Sequence, residues 1–392
     1  MSTLAPLDAI PLTNTFSRKL MRGIVAGALL AVSICFLAYT TSTESIANRD
    51  FIAYWAAGQQ LVHGANPYDA TRIFALERSA GWHGRWPMIM HNPPSGLYLV
   101  LPLGIVRPKT GYLLWSVFIL GAWLVSIHML WIMNGRSKNA LEFIGFFFAP
   151  AMACFVLGQM AAFVLLGLTL FLYFHRTRPW LAGAALVFCA LKPHLFLPFW
   201  VVLLAWAVTC KAYRVVSGAA VALIFSCAVP LIFDPSIYRQ YTAMAHTSGV
   251  QDLLMPILSE LLRITINPNA FWLQFLPAFA GCLWASWYFH RHSEEWDWAR
   301  HGPLLVLVFF VVAPYAWYFD AIILLPCILH AAYRSRPNDL AILFGLLAVA
   351  GVQLLLDTQP FSAWYLWPTA TWPAWYLWAM RDGHSSTLRE AQ

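Results

Sequence analysis

Long apolar runs separated by short polar stretches set the pattern of this chain. The first run, 23–40 (GIVAGALLAVSICFLAYT), follows Arg18, Lys19 and Arg22. It is longer than the roughly 7–15 residues of a signal-peptide core and close to the about 20 that span a bilayer, so an uncleaved anchor is expected. Its basic flank places the N-terminus in the cytoplasm. Further runs lie near 111–133, 142–157, 160–174, 180–191, 195–209, 215–233, 271–289, 303–314, 319–333, 339–356 and 361–380. Several are short, as in tilted or broken helices inside a bundle.

The run 93–106 (PPSGLYLVLPLGIV) is ambiguous, because it opens on two prolines and stops before Arg107 and Lys109. Lying along the outer interface, it leaves about twelve spans. Arg136 and Lys138, Arg176 and Arg178, Lys211 and Arg214, Arg291 and Arg300, Arg334 and Arg336, and the tail with Arg381 and Arg389 then all face the cytoplasm. Counted as a span, it sends all of them outside. The expected architecture is therefore an all-α polytopic membrane protein, one integral domain over 1–392 with both termini cytoplasmic. Its first extracytoplasmic loop is 41–109, with a juxtamembrane helix. Its second is 234–270, where DLLMPILSELLRI (252–264) reads as an interfacial helix.

Composition agrees. The chain is 60% hydrophobic and 10% charged, with 20 Trp, against about half apolar and about a quarter charged in soluble domains. The net charge of +7 is accounted for by basic cytoplasmic loops. A nucleic-acid surface would need a basic face on a water-soluble domain, and none is visible. The seven cysteines lie in or beside apolar runs without CxxC spacing, so they read as packing residues rather than disulfides or zinc ligands. The Trp-rich end, 364–378, reads as an aromatic girdle, with sugar stacking by one Trp as the alternative.

With so few charges, polar residues at the ends of short runs stand out, and on the topology above they gather on the outer face. Asp50 has three readings: a solvated acid beside Arg49, a cap of the helix starting at Phe51, or a general base in a shallow outer cavity. Asn66-Pro67-Tyr68-Asp69 reads as a turn folding the first loop back over the membrane. Lys192 lies inside an apolar run, where a cation is costly, and Pro193 breaks the helix beside it. A cation at such a break suits a phosphate, and snorkelling is the alternative. His194 could support an anion or sit at the interface. Gln159 could bond a sugar hydroxyl or satisfy backbone groups, and Asp320 could pair with Lys192 or meet a ligand. No metal-ligand cluster, Walker loop, GxSxG or dinucleotide motif is present in the sequence.

The ordered series is similar to glycosyltransferase family 87. It consists of Asp50-Phe51, Tyr54-Trp55, Gly58, Gly64 and Asn66-Pro67-Tyr68-Asp69, then Asn92-Pro93-Pro94, Gly158-Gln159, Leu191-Lys192-Pro193-His194, and Ala313-Pro314-Tyr315 through Asp320. The likeness runs from about 48 to 326. It implies a GT-C-like membrane enzyme that moves a sugar, most often mannose, from a polyprenyl-phosphate donor to a glycolipid or glycan hydroxyl, with inversion, at a bacterial inner membrane. Asp50 would be the base, and Lys192 with His194 would meet the leaving phosphate. Gln159, Asp320, Tyr54, Asn66 and Tyr68 would lie on the substrate side, and neither cofactor nor metal is implied. A transporter or flippase for a lipid-linked or small polar solute is the rival reading, and it predicts paired polar breaks in two repeated halves.

Overall fold

A computed structural model describes residues 49–137, 139–247, 249, 255–356 and 363–381. All regular structure among these residues is helical. In chain order, α1 is Phe51–Val62, α2 Ala70–Ser79, α3 Leu97–Val100, α4 Pro108–Met133, α5 Ile144–Phe147, α6 Ala149–Leu157, α7 Ala161–Phe174 and α8 Pro179–Cys189. They are followed by α9 Leu197–Thr209, α10 Tyr213–Phe233, α11 Ile237–Thr247, α12 Leu258–Ile266, α13 Leu276–His292, α14 Trp298–Val311, α15 Leu325–Ala332, α16 Pro337–Leu356 and α17 Trp367–Met380.

Proline starts many of these helices. It stands in the first two positions of α4, α6, α8, α9, α13, α15 and α17, where its missing N–H has no intrahelical partner to lose. Among the described residues, α4, α10 and α16 are long and apolar enough to cross a membrane. On α4, Tyr112, Trp115, Ile119 and Trp123 are buried while Val117 and Phe118 are exposed, the division expected of a helix with protein on one side and lipid on the other. The remaining runs form shorter helices. A 14-residue segment such as α7 reaches only about 21 Å, against a hydrocarbon core of about 30 Å. By length and composition three helices among the described residues are candidate spans, against about twelve expected from the runs. The anchor 23–40, residues 252–254 of the second loop and the tail with Arg389 lie outside the described residues.

The run 93–106 is a broken helix, α3 set between the 3-10 turns Pro94–Gly96 and Leu101–Ile105. It packs along α1 at backbone contact, because Gly58 faces Gly104 and a Cβ on Gly104 would collide with the Gly58 carbonyl oxygen. Gln59 Nε2 donates to the Gly104 carbonyl at 2.7 Å and Trp55 Nε1 to Val106 at 3.0 Å. These bonds lock the first loop onto the bundle. In the second loop, α12 turns Glu260 and Arg263 inward, and both are buried beside Gln274 while Leu258, Leu261 and Ile264 face out. Its polar face therefore meets protein and its apolar face is the outer one.

Candidate active site

Four breaks in the helical pattern meet at one cavity of about 720 Å³. Asp50 stands at the first, ahead of α1. It occupies the N-cap position, but its side chain makes no cap bond. Arg49 does not hold it either, since that guanidinium is buried and donates to Tyr112 Oη and to the Val156 carbonyl, each at 2.6 Å. Both bland readings of Asp50 are thereby set aside. The carboxylate instead accepts from Gln159 Nε2 through Oδ2, and Oδ1 accepts from none of the described residues.

Gln159 is aimed there by the residue before it. Gly158 closes α6 in the left-handed region at φ 74, its carbonyl accepts from Trp115 Nε1 at 2.7 Å, and a Cβ would press on Phe51. A glycine is required at that position. The Gln159 amide orientation follows from its neighbours. Tyr54 Oη donates to Oε1 at 2.9 Å, so the Nε2 end faces Asp50. Burial pushes the Asp50 carboxyl up from 3.8 to about 6, with the Gln159 hydrogen bond and the Lys192 charge acting in the opposite direction. Asp50 precedes α1, outside every candidate span.

Opposite lies the Lys192 break. α8 ends at Cys189 and the 3-10 turn Pro193–Phe196 follows. Lys192 is buried, and its Nζ donates to Asp320 Oδ1 at 2.6 Å. Among the described residues its other two N–H groups have no hydrogen-bond partner and are left for the cavity. The other Asp320 oxygen accepts from the Trp317 backbone N–H at 3.0 Å. His194 packs edge-on against Tyr315, ring centroids 5.2 Å apart, with Nε2 buried and unpartnered among the described residues.

The last wall is a strap, 87–92, crossing back from the first loop. Three elements hold it. Met88 N–H donates to both Glu77 oxygens at 3.1 Å, Tyr241 Oη donates to the His91 carbonyl at 3.3 Å, and Asn92 Nδ2 donates to the Leu191 carbonyl at 3.1 Å. Burial pushes the Glu77 carboxyl up from 4.5 to about 7.

A family model for glycosyltransferase family 87 matches residues 91–325. The chain belongs to glycosyltransferase family 87. As a member of glycosyltransferase family 87 it is a transferase enzyme. No curated protein and no solved structure matches it. The family 87 match takes in Gln159, Lys192, His194 and Asp320 and begins after Asp50 and Tyr54, whereas the residue series starts at about 48.

The structure brings Asp50, Tyr54, Gln159, Lys192 and His194 into the lining of one cavity and leaves three expected residues off it. Asp320 is fully buried behind Lys192. Asn66 accepts from the Tyr68 backbone N–H at 2.9 Å, a turn closed on itself. Tyr68 packs against Tyr241, ring centroids 5.5 Å apart and tilted at 60°, and does not line the cavity itself. The Trp-rich end stays away as well: Trp375 and Trp378 donate to Asp339 and Trp367 to Gln353. Tyr315 and Trp317 fall within the family-like series that ends at Asp320, but neither they nor the strap were among the expected site residues. In a chain this aromatic a ring carries little signal, and a strap becomes a wall only when the loop folds back.

Proposed function

We propose that the protein transfers mannose from a polyprenyl-phosphate donor to an acceptor hydroxyl on the extracytoplasmic face of the membrane, with inversion. One observation carries the proposal: the open Asp50 Oδ1 and the free N–H groups of Lys192 share one cavity. Asp50 accepts the acceptor's proton as the acceptor oxygen bonds to the anomeric carbon. The bond from that carbon to the phosphate oxygen breaks with its electron pair, and Lys192 meets the charge that develops there. A phosphate leaving group needs no protonation, which suits a site with one open carboxylate. At about 720 Å³ the cavity is of the ordinary size for small ligands, about 300–1,000 Å³. It holds a sugar phosphate and leaves the lipid tail outside. On this reading the shorter helices complete a GT-C-like bundle of about twelve spans, a single domain in a bacterial inner membrane, with 93–106 along the outer face.

The test is transfer of label from radiolabelled polyprenyl-phosphate mannose in membranes that contain the protein. Asp50→Asn keeps the shape and loses the base, so transfer falls by about 10²–10⁴-fold at unchanged protein level. Full activity in that variant overturns the assignment.

A further inference from the structure

The cavity wall beside Lys192 holds two half-buried rings that the proposed chemistry leaves unused, Tyr315 and Trp317. We propose that they form the platform on which the transferred sugar ring lies, registered to the phosphate by Asp320. The proposal rests on the donor proposed above and adds which residues read the sugar.

The geometry is fixed at every joint. Trp317 Nε1 donates to Tyr315 Oη at 2.8 Å, and the two rings stand at 86° with centroids 5.9 Å apart. His194 backs Tyr315 from another side, also at 86°. With Oη accepting from the indole, the Tyr315 hydroxyl hydrogen is directed away from Trp317. It meets no acceptor among the described residues, so it is left as a donor for a ligand hydroxyl. Trp317 lines the cavity, and an indole ring is a flat, electron-rich surface that favours the polarised C–H face of a pyranose. A wall that combines an aromatic face with one directed donor is how a small-molecule pocket orients a neutral polyol.

Asp320 joins this platform to the cation. One of its oxygens takes Lys192 Nζ at 2.6 Å and the other takes the Trp317 backbone N–H at 3.0 Å. A single buried carboxylate thus sets the distance between the group that meets the phosphate and the ring that meets the sugar. Asp320 touches neither ligand and is a positioning residue. Its bond to position 317 uses the backbone, so replacing the Trp317 side chain leaves that bond in place.

The test compares two probes on purified protein in detergent: a short-chain polyprenyl-phosphate mannose and the same polyprenyl phosphate without sugar. Trp317→Ala weakens binding of the sugar-bearing probe about tenfold, about 1.4 kcal/mol, and leaves the sugar-free probe unchanged. Lys192→Ala weakens both. Tyr315→Phe, which keeps the ring and removes the donor, weakens only the sugar-bearing probe, by about threefold. Asp320→Asn weakens both probes, and its donor KM rises even where kcat persists. Equal losses on both probes in Trp317→Ala, or no loss on either, overturn the platform. Trp317→Phe serves where the alanine variant fails to accumulate, with a sugar-selective loss supporting the proposal and an even one overturning it. If wild-type membranes transfer label and Asp50→Asn membranes do not, yet Trp317→Ala binds both probes normally, the platform falls and the base stands. If wild type binds neither probe and transfers nothing, the polyprenyl-phosphate mannose donor falls and the platform falls with it.

Discussion

Gln159 makes the pH dependence of the site testable. Its N–H favours the charged form of Asp50, whose carboxyl burial has raised to about 6. A base works only when ionised, so wild-type transfer rises with pH through about 6 and then flattens. Gln159→Met keeps the length and removes the donor. The pull toward the charged form is lost while the desolvation stays, so the Asp50 carboxyl moves further up. A hydrogen bond to a charged group contributes about 1.5–3 kcal/mol, and a pKa unit corresponds to about 1.36 kcal/mol, so the shift is about one to two units. With a midpoint near ~7.5 the base is ~3% ionised at pH 6, against ~50% in wild type, about fifteen times less. Above a pH of ~8.5 nearly all of that ionisation deficit is gone. The assay is initial-rate transfer over a pH series at saturating donor, with variant and wild type at matched protein level. A midpoint that stays put, or moves down, refutes the role given to Gln159. A loss equal at every pH means that the substitution damaged the fold rather than the base.

Other outcomes follow from the packing and from Glu77. Gly104→Ala drives a methyl into the Gly58 carbonyl, and overpacking of that kind costs about 1–3 kcal/mol. The variant melts lower in detergent, and an unchanged melting temperature would show that the backbones part easily. Glu77 holds its proton to about 7 in the folded protein against a usual 4.5. The folded state therefore binds that proton more tightly than the unfolded chain, and this contribution to stability declines as pH rises from about 4.5 to about 7. Glu77→Gln removes the titration, so its melting temperature improves relative to wild type between pH 5 and pH 8. A constant offset across that range would refute it.

The sequence made the ingredients of the site visible where polarity broke an apolar run. Lys192 beside a proline and Gln159 after a glycine stand out because membrane segments tolerate few such residues without cause. It could not say which of them reach ligand. Asp320 and Asp50 look alike in sequence, yet one is spent on Lys192 and Trp317 behind the wall and the other opens onto the cavity. Asn66 and Tyr68 stand on the substrate side only by their place in the family-like series with Asp50, and the Asn66 turn closes on itself. The number of spans was the least legible feature. Apolar composition marks a segment as buried or lipid-facing, while the 3-10 turns at Pro193–Phe196 and Tyr318–Leu324 decide how far its helix runs.

The fixed amide of Gln159 also bears on how the enzyme resets between turnovers. Oε1 is occupied by Tyr54, so only the donor end meets Asp50, and a donor cannot take a proton away. On the proposed chemistry, the proton gained by Asp50 stays on Oδ1 and leaves through the opening by which the acceptor entered. While product fills that opening the carboxyl remains neutral. Product departure then has to precede recharging of the base, so the order of events after sugar transfer is set by which way one side-chain amide faces.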